Sequence, residues 1–130
     1  ETISLYPGET IPVRTGIHIE IPDGYYGQIA DRSGLAKEGI STRGGVIDSG
    51  YRGEVMVLLH NERPRYTIDI DEETGIEIYD DRERGVMHIQ KGDRIAQLII
   101  FPVVLDAFEA VDGLDEAARG DDGFGSSGLE

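Results

Sequence analysis

Asp48 is a carboxylate placed where it could activate a water molecule. It stands in GGVIDSGYRGEV (residues 44–55), directly after the β-branched pair Val46-Ile47, so we expect it at the end of a strand and facing solvent. An aspartate before Ser-Gly is also a common turn residue, and the local pattern alone favours that simpler role. Tyr51 could pack across neighbouring strands or offer a flat surface beneath a sugar.

A second group of residues has the chemistry of a phosphate site. In DRSGLAKEG, Arg32, Ser33 and Gly34 begin a predicted short helix, where backbone N–H groups and a planar guanidinium suit phosphate oxygens. Taken alone, Ser33 is more often a helix cap. In KGDRIAQLII, Gln97 interrupts an apolar strand, so its amide either bonds to backbone or faces a ligand.

The C-terminal stretch RGDDGFGSSG places Arg119, Phe124, Ser126 and Ser127 among glycines. One cation, one aromatic ring and two hydroxyls are the groups needed to close over a phosphorylated base. A disordered tail is the default interpretation of such a composition.

The sequence offers little for a protein-bound metal. The three histidines stand singly, without metal-ligand spacing to one another. Asp69, Asp71 and Glu73 resemble a calcium loop, but Gly75 falls one place too late and the flanking patterns are strands, which argues against calcium. Because the chain has no Cys, it has no disulfide and no thiolate site.

The elements that position these residues are predicted to be strands of one domain. Short alternating segments separated by Gly, Pro and Asp are typical of a sandwich or closed barrel, and 130 residues suffice for one core. Residues 55–59 are apolar on both faces, so we expect both to be covered, inside a barrel or by another subunit. An extra hairpin with the turn EETG is predicted within residues 64–84, and one helical turn in GLDEAAR (113–119).

The charge of the chain restricts its partners. A net charge of −14 and a sequence pI of about 4.4 argue against nucleic acid and membrane surfaces, which are themselves anionic. No apolar run approaches the roughly 20 residues needed to span a bilayer. The expected location is the cytoplasm, or the host cytoplasm for a viral or phage protein.

Taken together and in this order, the motifs are specific enough to indicate one protein family. The strings RSGLA, GVIDSGYRGEV, KGDRIAQLI and RGDDGFGSSG resemble those of the trimeric dUTPases (deoxyuridine triphosphate nucleotidohydrolases), and the likeness runs from about Pro7 to Gly128. The resemblance implies an all-β fold, a jelly-roll-like distorted β-barrel with one short helix, in a homotrimer with shared active sites. It also implies Mg²⁺-dependent hydrolysis of dUTP to dUMP and pyrophosphate, which limits uracil incorporation into DNA and supplies dUMP for thymidylate synthesis.

The resemblance further implies a role for each candidate residue. Asp48 would be the general base for water attack at the α-phosphate, and Tyr51 would pack under deoxyribose. The other substrate contacts would be the uracil hairpin Gly45, Val46 and Ile47, the triphosphate ligands Arg32, Ser33, Gly34 and Gln97, and the arm residues Arg119, Phe124, Gly125, Ser126 and Ser127. Residues 1–118 would form the barrel, and residues 119–130 a flexible arm that closes over the active site.

Two departures from the family pattern affect these expectations. The family's first motif, an AGYDL-like string whose Asp orients Mg²⁺ through water, is expected just before residue 1, so the metal ligand is unknown. The hairpin at about 64–84 is an insertion, and it is either a tolerated surface element or a site for a protein partner.

Two other functions fit parts of the sequence. A dCTP deaminase-like enzyme would share the fold and the strand-end aspartate. It needs a glutamate beside the third motif, however, and Glu54 belongs to the strand beyond. A nucleotide-binding regulatory module without turnover would account for the absent first motif and the acidic hairpin. The dUTPase activity is the predicted function.

Overall fold

The computed structural model describes residues 1–65, 67–79, 83–125 and 128. Within this part of the chain, nearly all regular structure is β, with one short helix. The strands are β1 Ile3–Leu5, β2 Thr10–Ile17, β3 Tyr25–Ala30, β4 Ile40–Arg43, β5 Val46–Ile47, β6 Val55–Asn61, β7 Thr67–Asp71, β8 Gly75–Tyr79, β9 Met87–Ile89 and β10 Gln97–Pro102, and the helix is α1 Ser33–Lys37.

The described strands pair antiparallel in four small sheets. Two sheets have three strands, in the orders β10-β3-β5 and β2-β6-β4, and two have two strands, β1-β9 and β7-β8. Hydrogen bonds between the described strands therefore do not close a barrel. One apolar core joins three of the sheets, and it contains Leu5, Val13, Ile21, Ile29, Ile40, Ile47, Val55, Val57, Leu59 and Ile89.

Strand β6 is covered on only one face in the single chain. Val55, Val57 and Leu59 are buried, whereas Met56 and Leu58 on the opposite face remain 47% and 39% exposed. In the single chain, the prediction that both faces of β6 are covered is therefore confirmed for one face only. The other face is an exposed apolar surface.

In β2 the expected alternation holds only at its start. Val13 is buried, but the pairing with β6 shifts between Arg14 and Ile17, and Ile17 is 50% exposed. The shift is a β-bulge with two extra residues, Thr15 and Gly16, so Ile17 still pairs with the buried Val55 on the Val13 face, and it is exposed as the last residue of the strand. Ile21 returns to the core beyond the end of the strand.

The predicted hairpin is confirmed in the described residues. Strands β7 and β8 pair with Ile68 opposite Ile78, and Asp69 opposite Glu77. Acidic residues at directly opposite positions repel each other, which costs energy at low salt.

Asn61 ties the base of this hairpin to the body. Its side chain is fully buried, and Nδ2 donates to the carbonyl oxygens of Leu5 (2.9 Å) and Gly85 (2.8 Å). Its Oδ1 accepts from the backbone N–H of Arg63 at 3.0 Å. These three hydrogen bonds all go to backbone groups, so both the donor and the acceptor atom of this buried amide are satisfied.

The helical turn predicted at 113–119 is wrong. From 103 to 118 the chain has neither helix nor strand, and its large apolar side chains are exposed, with Phe108 and Leu114 at 106% and 90%. A single turn gains little from hydrogen bonds alone, so without a packed face it does not form.

In the described part of the chain no helix is long and apolar enough to cross a membrane.

Candidate active site

The phosphate-type residues follow directly after β3. Arg32 is the N-cap of α1, with an extended backbone (φ −92°, ψ 129°) and no capping bond from its side chain. Ser33 is the first helical residue, so its simpler role as a cap is wrong, and its hydroxyl remains exposed. The helix ends before Gly39, whose φ of +82° permits the left-handed turn that commonly ends a helix.

Gln97 meets this segment from the neighbouring strand. It pairs with Ala30 at the end of β3, and its Nε2 donates to the backbone oxygen of Asp31 at 2.6 Å. The same residue borders an open cavity of about 390 Å³ whose lining is Arg32, Ser33, Gly34, Leu35, Glu38 and Gln97. Both interpretations of its amide are therefore compatible, since Nε2 is satisfied by backbone while the side chain also faces the cavity.

Asp31 and Thr42 form a clip that sequence reasoning missed. The Asp31 carboxylate accepts from the backbone N–H of Thr42 (2.6 Å) and from its hydroxyl (2.8 Å). This clip fixes the start of the phosphate segment to β4. Asp31 and Thr42 are 11 residues apart in the sequence, and the residue pattern around either one does not show that they meet in the fold.

The predicted uracil hairpin lies against the other side of β3. Gly45 O accepts from Ile29 N–H at 2.8 Å, and Val46 and Ile47 pair with Gln28 and Gly27. A Cβ added at Gly45 would lie 3.0 Å from the Ile29 oxygen, and its φ is +96°. Both facts require glycine, because a side chain would be strained and would also push the hairpin off β3.

Asp48 stands at the end of this short strand, as expected. Ile47 is buried and Asp48 is exposed. The Asp48 backbone oxygen accepts from Tyr51 N–H at 3.1 Å, so the segment is also a turn. Among the described residues, no hydrogen bond or ion pair engages the Asp48 carboxylate. It is therefore available to a water molecule or a ligand.

Tyr51 is held by its own segment. Its hydroxyl donates to the Glu54 backbone oxygen at 2.8 Å, and its ring remains 42% exposed. The Glu54 carboxylate accepts from Gly16 N–H at 2.7 Å and from Arg14 Nε at 3.0 Å. The Gly16 hydrogen bond, followed by Arg14, lowers the pKa of Glu54 below its ordinary value of 4.5. Sequence reasoning did not anticipate that Glu54 anchors the Tyr51 segment to the β2 bulge.

One chain does not bring Asp48 and the phosphate segment together. Ile47 pairs with Gly27, whereas the phosphate segment begins beyond Ala30 at the far end of the same strand. Gly27 and Arg32 are five residues apart, so at about 3.3 Å per residue the end of β5 lies on the order of 17 Å along the strand from Arg32. Adjacent phosphates of one nucleotide are much closer together than this.

The hydrogen bonds of the described tail residues stay within the C-terminal segment. Arg119 Nε donates to the Asp122 backbone oxygen at 2.8 Å, and the Phe124 side chain is fully exposed. Phe124 has φ +50°, and Gly125 follows it with φ +85°. Ser126 and Ser127 lie outside the described residues.

No metal cage is formed by the described residues. Nowhere in ranges 1–65, 67–79 and 83–125 do three or more His, Asp or Glu side chains converge so that they could hold a metal ion. Around the phosphate-type cavity the lining supplies one carboxylate, Glu38, and its Oε2 accepts from Arg63 Nη2 at 3.2 Å. These side chains do not fit a protein-ligated Mg²⁺.

The fold and the site define a class of small β proteins with an exposed carboxylate at a strand end and a polar helix start after a neighbouring strand. Within this class, the dUTPase family model matches residues 1–78 and 64–128, and the chain belongs to the dUTPase family. The two matched segments overlap over residues 64–78, a range that contains β7 and most of β8.

Known relatives agree with this family. A deoxyuridine 5'-triphosphate nucleotidohydrolase of Cutibacterium acnes is 42% identical over 130 residues, which are 98% of this chain and 73% of the relative. The dUTPase of Staphylococcus bacteriophage 80alpha, solved as a mutant with dUpNHpp, has a TM-score of 0.81 at 31% identity and covers 99% of this chain and 82% of its own. A mutant dUTPase from phage phi11 of S. aureus, solved to show the coordination of a structural Mg(II) ion, has a TM-score of 0.71 at 29% identity, covering 89% and 80%. The jelly-roll-like architecture predicted from sequence is thereby confirmed.

Proposed function

We propose that this dUTPase hydrolyses dUTP to dUMP and pyrophosphate by attack of water on the α-phosphate, with Asp48 as general base. The observation that carries this assignment is the exposed, unengaged carboxylate at the end of β5, three residues before a half-exposed tyrosine. Asp48 would accept a proton as the water oxygen bonds to the α-phosphorus. The bond from that phosphorus to the bridging oxygen then breaks, and pyrophosphate leaves with the electron pair.

Base and sugar recognition would come from the same segment. The backbone of Gly45, Val46 and Ile47 would contact uracil, because the close approach of Gly45 to Ile29 leaves a narrow hairpin. Tyr51 would lie beneath the deoxyribose, with the rigid ring leaving no room for a 2′-hydroxyl. This arrangement would select dUTP over dTTP and UTP.

The triphosphate would occupy the polar cavity at the start of α1. Arg32 supplies a guanidinium fork, Ser33 and Gly34 supply exposed helix-start groups, and Gln97 borders the opposite side. Since the described side chains form no metal cage, Mg²⁺ would arrive on the triphosphate and keep most of its waters, which suits its coordination preferences. When bound, it would neutralise phosphate charge.

The site would be completed by other copies of the chain, in a homotrimer. Asp48 and the phosphate segment are too far apart in one chain to act on one nucleotide. The exposed apolar face of β6 and the apolar side chains of residues 103–118 also need cover. A closed symmetric oligomer would supply both the cover and the missing half of each site.

Sedimentation of the native protein tests this assembly. We expect one species of three 14.3 kDa chains, about 43 kDa. A Met56→Asp variant should dissociate, because it places a charge on the exposed face of β6, whereas Glu62→Asp at an exposed position should not. A monomeric, active wild-type protein would refute the shared site.

Residues 119–130 would act as an arm that closes over bound nucleotide. Arg119, Gly125, Ser126 and Ser127 would contact the phosphates, and the exposed ring of Phe124 would stack on uracil. Phe124→Ala is therefore expected to lower kcat several-fold to about a hundredfold by loosening the closed state. The conservative variant Phe124→Tyr keeps an aromatic ring at this position and should leave kcat near wild type. Steady-state kinetics decides this, and unchanged rates for Phe124→Ala would remove the ring from the site.

A nucleotide panel tests the function as a whole. We expect release of pyrophosphate from dUTP, in the presence of Mg²⁺, at rates at least a hundredfold above those for dTTP, dCTP and UTP. Omission of Mg²⁺ should strongly reduce the dUTP rate. Ammonia release from dCTP would instead support a deaminase, and tight dUTP binding without pyrophosphate would support a regulatory module.

Neither alternative has a structural observation in its favour. The glutamate nearest to the third motif, Glu54, is engaged by Gly16 and Arg14 and so is not free for deamination chemistry. Nothing in the described residues indicates a protein partner for the hairpin. Cytoplasmic location also stays a prediction.

A further inference from the structure

We propose that Gly53 is a positioning residue that sets the discrimination between deoxyribo- and ribonucleotides, because it makes room for the ring of Tyr51. The inference rests on the proposed function, in which Tyr51 lies beneath the sugar. It concerns a residue that has no polar side chain and that would act only through its neighbour.

The ring of Tyr51 lies directly against the backbone of Gly53. A Cβ added at Gly53 would be 2.5 Å from Tyr51 Oη, 2.6 Å from Cζ and 3.0 Å from Cε2. Non-bonded heavy atoms prefer roughly 3.5–4.0 Å, so the ring and a Cβ cannot occupy these positions together. Gly53 is not among the residues with positive φ, so the backbone itself would accept alanine, and space is the only obstacle.

The ring cannot retreat without losing its anchor. Its hydroxyl donates to the Glu54 backbone oxygen at 2.8 Å, and the Glu54 side chain is in turn fixed to Gly16 and Arg14. Because the acceptor is held in place, a displaced ring must break this hydrogen bond. Gly53 therefore blocks one side of the ring, and the other side faces solvent, where a ligand can contact it.

A confined ring is what exclusion of one hydroxyl group requires. A mobile side chain would shift to admit a 2′-hydroxyl, whereas a ring held by contact and by a hydrogen bond rejects it through overlap. Displacement of the ring by a Cβ would open space beneath the sugar. The selectivity for dUTP over UTP would then fall by a larger factor than the rate of dUTP turnover.

The experiment compares Gly53→Ala with Gly50→Ala. A Cβ at Gly50 meets nothing within 4 Å, and Gly50 also lacks a positive φ, so it is a control in the same segment. We expect the ratio of kcat/KM for dUTP over UTP to fall about tenfold or more in Gly53→Ala and to stay unchanged in Gly50→Ala. The Kd ratio of UMP over dUMP, measured by calorimetry, should fall in parallel, and it reports on the inference even if turnover is absent.

A double variant tests whether Gly53 acts through the ring. In a Tyr51→Ala background, Gly53→Ala should change neither ratio further, because there is no ring to displace, and folding lost in the single variant should return. An unchanged UMP/dUMP ratio in folded Gly53→Ala, or an equal loss in the Tyr51→Ala background, would overturn the inference. Lack of dUTP turnover by the wild-type enzyme would contradict the proposed function separately.

Discussion

Replacement of Asp48 by asparagine is expected to reduce the kcat for dUTP about a thousandfold while nucleotide binding stays within a few-fold of wild type. Asparagine has nearly the same shape, so the end of β5 and the turn to Tyr51 should be preserved. It cannot accept a proton, and the water would have to attack without a base. Single-turnover kinetics gives the rate, and calorimetry with a non-hydrolysable dUTP analogue gives the affinity.

The matched control is Asp23→Asn, the same change at another exposed aspartate in a turn before a strand. Its kcat should equal that of wild type. A kcat for Asp48→Asn within about tenfold of wild type would remove Asp48 from the role of base. Equal loss of binding and rate would instead make it a ligand for substrate.

The largest expected effect on stability comes from Asn61→Asp. The amide donates two hydrogen bonds from a fully buried position, to the backbone oxygens of Leu5 and Gly85. A carboxylate there would face two carbonyl oxygens without a proton to share, so we expect a loss of about 3 kcal/mol or more at neutral pH. Urea unfolding at fixed protein concentration measures this loss.

The pH dependence of that loss identifies its cause. Burial beside carbonyl oxygens raises the pKa of the introduced carboxyl in the folded state, so the variant should recover stability as the pH falls and the group binds a proton. Gln90→Glu makes the same change at an exposed amide and should alter stability little. A pH-independent deficit, or none, would show that the buried amide is not what holds this junction.

The sequence predicted most reliably what depends on neighbouring residues. The β7–β8 hairpin was predicted from unbroken alternation and a Gly-containing turn, and the structure confirms that the two strands pair. The pattern did not predict the bulge in β2, because its two extra residues between Arg14 and Ile17 leave the alternation of residue types unchanged. It also failed at 113–119, where helix-forming residues have no packed face to support them.

The same distinction applies to the site. Residue types and order identified Asp48, Tyr51 and the Arg32–Gly34 segment, because their chemistry is local. The contacts that orient them were not predicted: Asp31 with Thr42, and Glu54 with Gly16, join residues 11 and 38 positions apart. Such pairs depend on sheet pairing, which a single sequence does not specify.

The base of the hairpin has a consequence for protein engineering. Thr67 and Tyr79 are direct strand partners, and the side chain of Asn61 bonds to Gly85 just beyond the hairpin's return. The chain therefore leaves the body and comes back at adjacent points, and the strands of this hairpin pair only with each other among the described residues. An epitope or a fluorescent label inserted in place of residues 68–78 would begin and end at paired residues. The insert could therefore be changed without altering the pairing of the strands that carry the candidate active-site residues.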